Sequence, residues 1–238
     1  MITGSAKRIG AQCARMLHAD GCDLFLHYRS SKQQVLQLYD ELNAIRPGSA
    51  KIIQADLLNM AELSLMAKEV KSVWGQLDVL INNASEFYPR QVQKVTEQEW
   101  DELLGSNLKA PFFLAQKFSG LLSENKGCIV NIIDIHAERG LKGYPVYSIA
   151  KAGLAAMTKV LAKELGPEIR VNGVSPGAIL WPENQMLEAE KAEILQRVAL
   201  RRSGEPDDIA KAVSFLVFGA NYVTGQIISV DGGRTLFC

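Results

Sequence analysis

The sequence predicts an α/β protein whose parallel sheet is covered by helices on both faces. Short apolar runs typical of strands alternate along the chain with longer amphipathic segments typical of helices. The runs are continuously apolar, as expected of strands that are buried on both sides. With 238 residues, the chain is long enough for one sizeable core. We therefore expect a single domain with a doubly wound, Rossmann-type sheet.

The strand-like and helix-like segments follow one another in the order that this fold requires. Strand-like runs occupy residues 22–28, 50–55, 77–83, 127–134, 169–175 and 226–230. Between them, the stretches KQQVLQLYDELNAI and AKAGLAAMTKVLAKEL have the spacing of helices with one apolar face. No repeat, low-complexity tract or linker interrupts the pattern, so one domain is predicted over residues 1–238.

One long segment, residues 177–206, has neither pattern. It begins just past the carboxyl end of a predicted strand, where α/β folds bind ligands. We interpret it as an irregular flap that covers a substrate.

Composition and charge argue against several classes of partner. Lys plus Arg and Asp plus Glu number 26 each, so the chain has no overall field for nucleic acid or an anionic membrane. No apolar run approaches the roughly 20 residues that span a bilayer. The cysteines form no C-x-x-C pair, which argues against a disulfide scaffold or a metal site and favours the reducing cytosol. The expected partner is a small molecule.

The opening stretch, MITGSAKRIG, is typical of a phosphate-binding turn between a strand and a helix. Gly4 and Gly10 would let the backbone approach a pyrophosphate, and the helix that follows would present N–H donors and a positive dipole. Thr3 and Ser5 complete the turn, and Arg8 stands where such turns usually carry a central glycine. By itself, the pattern fits a plain surface turn with nearby cations equally well.

The residues after the strand-like run 22–28 indicate which cofactor is bound. In this fold an Asp or Glu at that point binds the ribose 2′-hydroxyl of NAD, whereas an Arg binds the 2′-phosphate of NADP. Here the run is followed by Arg29 and Ser30, without an acidic residue. Arg29 therefore favours NADPH over the alternative of a solvated arginine in a loop.

Tyr147 and Lys151, in YSIAK, are four residues apart and share one face of a predicted helix. A nearby ammonium favours the phenolate, so we expect a lowered tyrosine pKa, suited to an acid that works near neutral pH. Because Tyr-x-x-x-Lys is common in ordinary amphipathic helices, its weight depends on the other motifs.

Together these motifs resemble the short-chain dehydrogenase/reductase family over essentially the whole chain. The matching residues, in the family's order and spacing, are Thr3, Gly4, Gly10, NNAS at 82–85, Asn107, Tyr147, Lys151, SPG at 175–177 and VDGG at 230–233. The resemblance implies that Tyr147 donates a proton. It also implies that Lys151 binds the nicotinamide ribose and tunes Tyr147, and that Asn107 supports a water-linked proton path.

The resemblance also implies a set of cofactor contacts. Asp56 would meet the adenine, and Asn83 and Ala84 would line the cofactor channel. The full set is Thr3, Gly4, Ser5, Arg8, Ile9, Gly10, Tyr28, Arg29, Ser30, Asp56, Leu57, Asn83, Ala84, Ser85, Tyr147, Lys151, Pro176, Gly177 and Ile179. Taken singly, Asp56 or Asn107 could instead be a helix cap or a buried hydrogen-bonding group, and VDGG a turn.

One position departs from the general family. Asp134 stands where the family usually carries its catalytic serine, and together with GSAKRIG, HYRS, NNASEFYP and ILWPEN it resembles the pteridine reductases, including the bacterial dihydromonapterin reductases. This implies that Arg8 lies where cofactor phosphates and substrate meet. It also implies that Phe87 stacks on the pterin and that Ser85 hydrogen-bonds substrate or cofactor. A carboxyl can accept hydrogen bonds from an aminopyrimidinone edge and relay a proton through Tyr147. The plain alternative for Phe87 is wall packing.

The leading hypothesis is an NADPH-dependent reductase that transfers hydride from C4 of the nicotinamide to a C=N bond of a pterin. Asp134, Tyr147, Lys151 and Asn107 would be its catalytic residues. One alternative is an NADPH-dependent carbonyl reductase, such as a 3-oxoacyl carrier-protein reductase, which Asp134 disfavours. Another is a non-catalytic cofactor-binding sensor, which the complete catalytic set disfavours. The family resemblance also implies a homotetramer, with the helices around Asn107 and Tyr147 at an interface.

The first strand looks truncated. Only Met1 and Ile2 precede Thr3, whereas family members carry a complete first strand and strands typically run about 5–6 residues. Either the natural start lies upstream of Met1, or the central strand is a stub. We expect a chain extended by several apolar residues to be more heat-stable and to bind NADPH more tightly, since each large apolar side chain fully enclosed contributes about 1.5–3 kcal/mol.

Overall fold

The computed structural model describes residues 1–179 and 187–237. Its strands are β1 (Leu24–Tyr28), β2 (Ala50–Gln54), β3 (Val79–Asn82), β4 (Cys128–Ile132), β5 (Arg170–Pro176) and β6 (Ile227–Val230). Its α-helices are α1 (Arg8–Ala19), α2 (Lys32–Ile45), α3 (Met60–Trp74), α4 (Glu97–Leu104), α5 (Ala110–Glu124), α6 (His136–Arg139), α7 (Pro145–Glu164), α8 (Glu188–Gln196) and α9 (Pro206–Ser214). Short 3-10 helices cover Val92–Lys94 and Arg234–Leu236, and π-helical turns cover Gly105–Lys109 and Phe215–Gly219. Five of the predicted strand-like runs contain a strand and the sixth, 169–175, overlaps all of β5 except Pro176, which confirms that prediction.

The strands form a parallel sheet whose direction of growth reverses near its middle. β1 pairs with β2, and β3, β4, β5 and β6 pair in that order. Ile2 joins the two groups, because it bridges in parallel to Leu26 of β1 and to Ile81 of β3. The chain therefore winds outward in both directions from Ile2, and this reversal is the point at which open α/β sheets bind ligands.

The start of the chain is a short central strand that is hydrogen-bonded on both sides. Ile2 N–H donates to Phe25 O at 3.0 Å, and His27 N–H donates to Ile2 O at 3.1 Å. On the other side, Ile81 N–H donates to Met1 O at 2.9 Å. Met1 and Ile2 are both buried. The expected stub therefore takes the central position of the sheet and holds the turn that follows it.

A cavity of about 600 Å³ lies beside this stub, at the amino ends of β1 and β3. Met1, Phe25, Trp74, Leu77 and Val79 are part of its lining. The carbonyl groups of Phe25 and Val79 accept hydrogen bonds from the stub. Because the N–H and C=O of one residue point to the same side in a parallel ladder, the N–H groups of these two residues face the cavity.

Successive residues of β1 point into two apolar layers on opposite faces of the sheet. Phe25 lies in one layer and Leu26 in the other. The first layer also contains Leu63 of α3, Phe118 of α5 and Leu154 of α7, and the second contains Leu17 of α1, Leu38 of α2 and Ile209 of α9. Helices thus cover both faces, and the prediction of one doubly wound domain is confirmed.

Local sequence signals set several helix ends. α2 spans the first predicted amphipathic stretch, and α7 contains nearly all of the second. Asn59 caps α3 by accepting the N–H groups of Ala61 and Glu62, and Gly75 ends that helix with φ 69°. Proline starts α7, where its missing N–H costs nothing. None of the described helices is both long enough and apolar enough to cross a membrane.

The segment 177–206 differs from its prediction. It contains the nine-residue helix α8 and reaches the first residue of α9, so the expectation of irregular backbone throughout is wrong. Acidic residues Glu188 and Glu190 occupy the first turn of α8, where they complement the helix dipole. Residues 180–186 of the predicted flap, which include most of ILWPEN, lie outside the described residues.

Candidate active site

Residues 3–10 form a tight turn between the central stub and α1. Gly4 has φ 61°, and its N–H donates to the buried Nδ1 of His27 at 3.0 Å. A Cβ on Gly10 would lie 2.5 Å from Nδ2 of Asn83 and closer still to Gly4 O. Only glycine fits there, so α1 begins directly against the turn. Its first N–H groups, which have no partners within the helix, are available to an anion.

Arg8 has the backbone conformation that usually belongs to glycine. Its φ is 55°, it is the first residue of α1, and it is exposed. For a residue with a Cβ this conformation costs about 1–2 kcal/mol, and such strain concentrates at functional sites. Arg8 thus takes the place and the conformation of the central glycine of the turn, and it adds a guanidinium there. We call the region between this turn and the loops after β1 and β3 the cofactor groove.

Hydrogen bonds beneath the turn tie it to the NNAS segment. Nδ2 of Asn83 donates to the carbonyl oxygens of Thr3 and Gly4, both at 2.9 Å. Oγ1 of Thr3 accepts the N–H groups of Asn83 at 2.9 Å and Ala84 at 3.1 Å. Oγ of Ser5 donates to a carbonyl of β1 at 3.1 Å. The side chains of Thr3 and Ser5 are buried, so they support the turn from below.

The two residues after β1 that are predicted to favour NADPH over NADH lie at the surface. Arg29 and Ser30 are exposed, while Tyr28 is buried. The guanidinium of Arg29 forms an ion pair with the carboxylate of Glu86 at 2.7 Å. Asp56 follows β2, and its Oδ1 accepts the backbone N–H two residues on at 3.0 Å, which makes it a local cap.

Other predicted cofactor residues lie in or against the apolar layers, or follow the end of β5. Leu57 and Ile179 belong to the two apolar layers, and Ile9 packs against the second. Pro176 ends β5. A Cβ on the next residue, Gly177, would lie 2.6 Å from a backbone carbon of the VDGG segment, so the two segments are in direct contact.

Tyr147 and Asp134 form a direct hydrogen bond. The phenol O–H of Tyr147, in the first turn of α7, donates to Oδ2 of Asp134 at 2.8 Å. Burial raises the pKa of Tyr147 well above its usual value, and the charge of Asp134 and this hydrogen bond raise it further. The expected lowering of the tyrosine pKa is therefore wrong for this arrangement. The carboxylate and the burial outweigh the ammonium of Lys151.

Lys151 lies on the same face of α7 as Tyr147. Its Nζ is 5.7 Å from the centroid of the tyrosine ring and donates to Ile132 O at 2.9 Å. Burial lowers the pKa of Lys151 to about 8, although the charge of Asp134 opposes this change. The ammonium is still largely charged at neutral pH.

His136, which the sequence reasoning missed, orients the carboxylate of Asp134. Oδ1 of Asp134 accepts the backbone N–H of His136 at 2.8 Å and its ring Nδ1–H at 2.7 Å. Burial by itself would raise the pKa of Asp134, but the hydrogen bonds from His136 and Tyr147 outweigh it and bring the pKa below its usual value. Asp134 is therefore ionised at neutral pH. The only signal in the sequence is the Asp-x-His spacing.

Asn107 is fully buried in the π-helical turn between α4 and α5. Its Oδ1 accepts Oγ–H of Ser85 at 2.6 Å, and its Nδ2 donates to Glu86 O at 3.0 Å. Single π turns occur frequently at functional sites. Asn107 thus anchors the segment that follows β3.

An aromatic wall stands beside the tyrosine. The ring of Phe87 stacks on Tyr144 with centroids 4.4 Å apart and planes 9° apart. It also meets Tyr147 edge-on, at 4.8 Å and 75°. Phe87 is 46% exposed, so part of its ring is open to a ligand next to the tyrosine.

Known proteins similar to this chain are found by sequence and by structure. The model of a family described as Enoyl-(Acyl carrier protein) reductase matches residues 4–235. Pteridine reductase 1 of Leishmania tarentolae is 35% identical, over 99% of this chain and 96% of that protein. The 3-oxoacyl-acyl-carrier-protein reductase FabG of Staphylococcus epidermidis is also 35% identical, over 98% and 97%.

A solved structure extends the similarity to the whole fold. A blue fluorescent protein from a metagenomic library, in complex with NADPH, superposes with a TM-score of 0.91 and 35% identity. The match covers 98% of this chain and 95% of that one. These relatives agree with the turn at Gly4 and with the helix face that Tyr147 and Lys151 share. The chain therefore belongs to the short-chain dehydrogenase/reductase family of oxidoreductases.

Proposed function

We propose that this protein is an NADPH-dependent pteridine reductase that transfers hydride to a C=N bond of a dihydropterin or related pterin. The observation that carries the proposal is the hydrogen bond between Tyr147 and the ionised Asp134, beside the open ring of Phe87. Pteridine reductase 1 among the relatives supports it.

The groove fits a phosphorylated dinucleotide. The turn has glycine where a Cβ would clash, the N-terminus of α1 is accessible, and Arg8 adds positive charge there. Arg29 and Ser30, exposed at the end of β1, would hold the 2′-phosphate, because a guanidinium forms paired hydrogen bonds with phosphate oxygens. The solved relative in complex with NADPH supports this assignment. Bound NADPH supplies the hydride.

Tyr147 is the proposed proton donor. Its raised pKa keeps the phenol protonated at neutral pH, so a proton is always present at Oη. Lys151 would bind the nicotinamide ribose, and its charge near the ring stabilises the phenolate that remains after proton transfer. Asn107 would support the path by which the tyrosine regains its proton.

Asp134 suits a pterin better than a simple carbonyl compound. An ionised carboxylate has about four lone-pair sites, so two hydrogen bonds from His136 to Oδ1 and one from Tyr147 to Oδ2 leave one site, on Oδ2, for an N–H group of an aminopyrimidinone edge. Phe87 would stack on the flat heterocycle, and Arg8 and Ser85 would contact it from the turn and from the segment after β3.

A substrate panel tests the proposal. The full chain is assayed with NADPH against pterins at different redox levels, dihydrofolate and a 3-oxoacyl thioester, by loss of NADPH absorbance. We expect turnover of a pterin, and a decrease of about 10²–10⁴-fold in Tyr147→Phe with NADPH affinity largely retained.

Two other results would contradict the proposal. Reduction of the thioester alone would identify a carbonyl reductase, the activity named for the Staphylococcus relative. NADPH binding without turnover of any compound would identify a non-catalytic sensor.

We also propose that the protein is a cytosolic homotetramer. Phe112 of α5 and Ile149 of α7 are 41% and 49% exposed, and apolar side chains on these two helices support an interface there. Light scattering of the purified protein measures the assembly, and a monomeric mass would contradict it.

A further inference from the structure

The ion pair between Arg29 and Glu86 crosses the cofactor groove. Ile2 bridges to both β1 and β3, so the loops after these strands lie on either side of the phosphate turn. Arg29 belongs to the loop after β1 and Glu86 to the loop after β3, and their side chains meet at 2.7 Å. A dinucleotide that extends from the turn toward Arg29 meets this pair.

Within residues 1–179 and 187–237, Arg29 and Glu86 are each other's only side-chain partner. The two side chains are 46% and 28% exposed, so water screens the pair and holds it only weakly. A phosphate dianion has more charge and more acceptor oxygens than a carboxylate, and it binds a guanidinium in the same paired geometry. A 2′-phosphate can therefore displace Glu86 from Arg29.

The backbone at Glu86 is held by contacts of the neighbouring residues, whereas its carboxylate is held by the exposed ion pair with Arg29. Glu86 O accepts a hydrogen bond from the buried Asn107 at 3.0 Å, and the neighbouring Ser85 is bound to Asn107 at 2.6 Å. Phe87, on the other side, is stacked on Tyr144. Displacement is thus confined to the Glu86 side chain, which stays close to the incoming phosphate and repels it.

We propose that Glu86 is a resident counter-ion of Arg29 that lowers the affinity for NADPH relative to NADH. This rests on the proposed function, in which Arg29 binds the 2′-phosphate. NADH lacks that phosphate, so it neither competes for Arg29 nor meets the repulsion. Glu86 therefore determines how strongly the protein discriminates between the two cofactors.

Glu86→Gln removes the charge and keeps the size of the side chain. We expect the Kd of the full-length protein for NADPH at low salt to fall by about three- to tenfold, from loss of a weak ion pair and of one repulsion. The Kd for NADH should change less than twofold. In the Arg29→Gln background, the same Glu86→Gln change should lower the NADPH Kd by a smaller factor, because only the repulsion is left to remove. Glu41→Gln is the matched control, since it breaks a similar ion pair with Arg15, also at 2.7 Å, outside the groove.

Cofactor fluorescence titrations of these variants decide the matter. An unchanged or higher NADPH Kd in Glu86→Gln overturns the proposal, the second result meaning that Glu86 positions Arg29. A gain in the double variant as large as the gain in the wild-type background overturns it as well. Equal binding of NADPH and NADH by both the wild type and Glu86→Gln overturns the assignment of Arg29 and this proposal with it. A wild-type preference for NADPH that Glu86→Gln leaves unaltered overturns this proposal alone.

Discussion

A carboxylate at position 134 changes the chemistry of the neighbouring tyrosine. Burial and the negative charge of Asp134 keep the phenol of Tyr147 protonated, and His136 keeps Asp134 ionised. A serine at this position would offer a neutral hydroxyl, which cannot raise the tyrosine pKa by its charge. The identity of one residue therefore adds to the rise in the pKa of the donor and supplies the acceptor that faces the substrate.

Asp134→Ser should lower kcat/KM for pterin reduction by about 10²-fold or more, because the carboxylate acceptor for a substrate N–H group is lost. The pKa of Tyr147 should fall at the same time, so the basic limb of the pH–rate profile should move to lower pH. NADPH titration serves as the control for intact cofactor binding. Unchanged pterin kinetics would remove the main reason for preferring pterins to carbonyl compounds.

At the scale of elements, one buried histidine links three of them. His27 lies in β1, its Nδ1 accepts Gly4 N–H of the turn, and its Nε2 therefore carries the proton that it donates to Ala55 O after β2, at 3.0 Å. Burial lowers the pKa of His27 to about 4 from its ordinary 6.5. Protonation of Nδ1 would break the bond to Gly4, so the turn depends on the neutral imidazole.

The stability of the fold should therefore fall as the pH falls from about 6.5 to 4. In that range the unfolded chain takes up a proton at His27 that the folded protein excludes, which corresponds to about 3 kcal/mol at the lower end. His27→Asn keeps an acceptor for Gly4 N–H but does not titrate. Denaturant unfolding at several pH values gives the free energy of unfolding as a function of pH. This free energy should change less with pH in the variant, even if the variant is less stable at pH 7. Equal slopes would show that His27 is not held neutral.

Across the whole sheet, the feature with the clearest consequence for stability is the cavity beside the central stub. The cavity at the amino ends of β1 and β3 leaves Phe25 and Val79 with N–H groups that face it. The amine of Met1 donates to Val79 O at 2.7 Å, and burial lowers its pKa from 8.0 to about 6. Folding therefore favours the neutral amine, and stability is lost as the pH falls from 8 to 6.

A prefix of about five apolar, β-branched residues should fill the cavity as a strand, raise the melting temperature and tighten NADPH binding. A Gly/Ser prefix of equal length is the matched control, since it also replaces the amine by an amide but buries no apolar side chain. Relative to the unextended chain, both prefixes should stabilise the fold by about 2 kcal/mol more at pH 6 than at pH 8, where the buried amine costs least. At pH 8, only the apolar prefix should raise the stability of the fold. Equal melting temperatures for the two prefixes would contradict the prediction.

The strands, the fold class and the family could be predicted from the sequence alone, whereas helix α8 could not. Strands and helices follow from the spacing of apolar residues, which is a local property, and the order of elements then leaves a doubly wound sheet. Two motifs could also be identified from the sequence, because each depends on residues close together in the chain. They are the turn with Gly4 and Gly10 and the pair Tyr147 and Lys151. The structure confirms these elements and the comparisons confirm the family, while the roles of the site residues stay predictions.

Which groups from distant segments of the chain come into contact depends on the tertiary structure. It brings Glu86 to Arg29, His27 to Gly4 and Asp134 to Tyr147. It also reverses the expected direction of the Tyr147 pKa shift. A pKa depends on burial and on every charge within a few ångströms, whatever its position in the chain, so four-residue spacing to a lysine could not settle its sign.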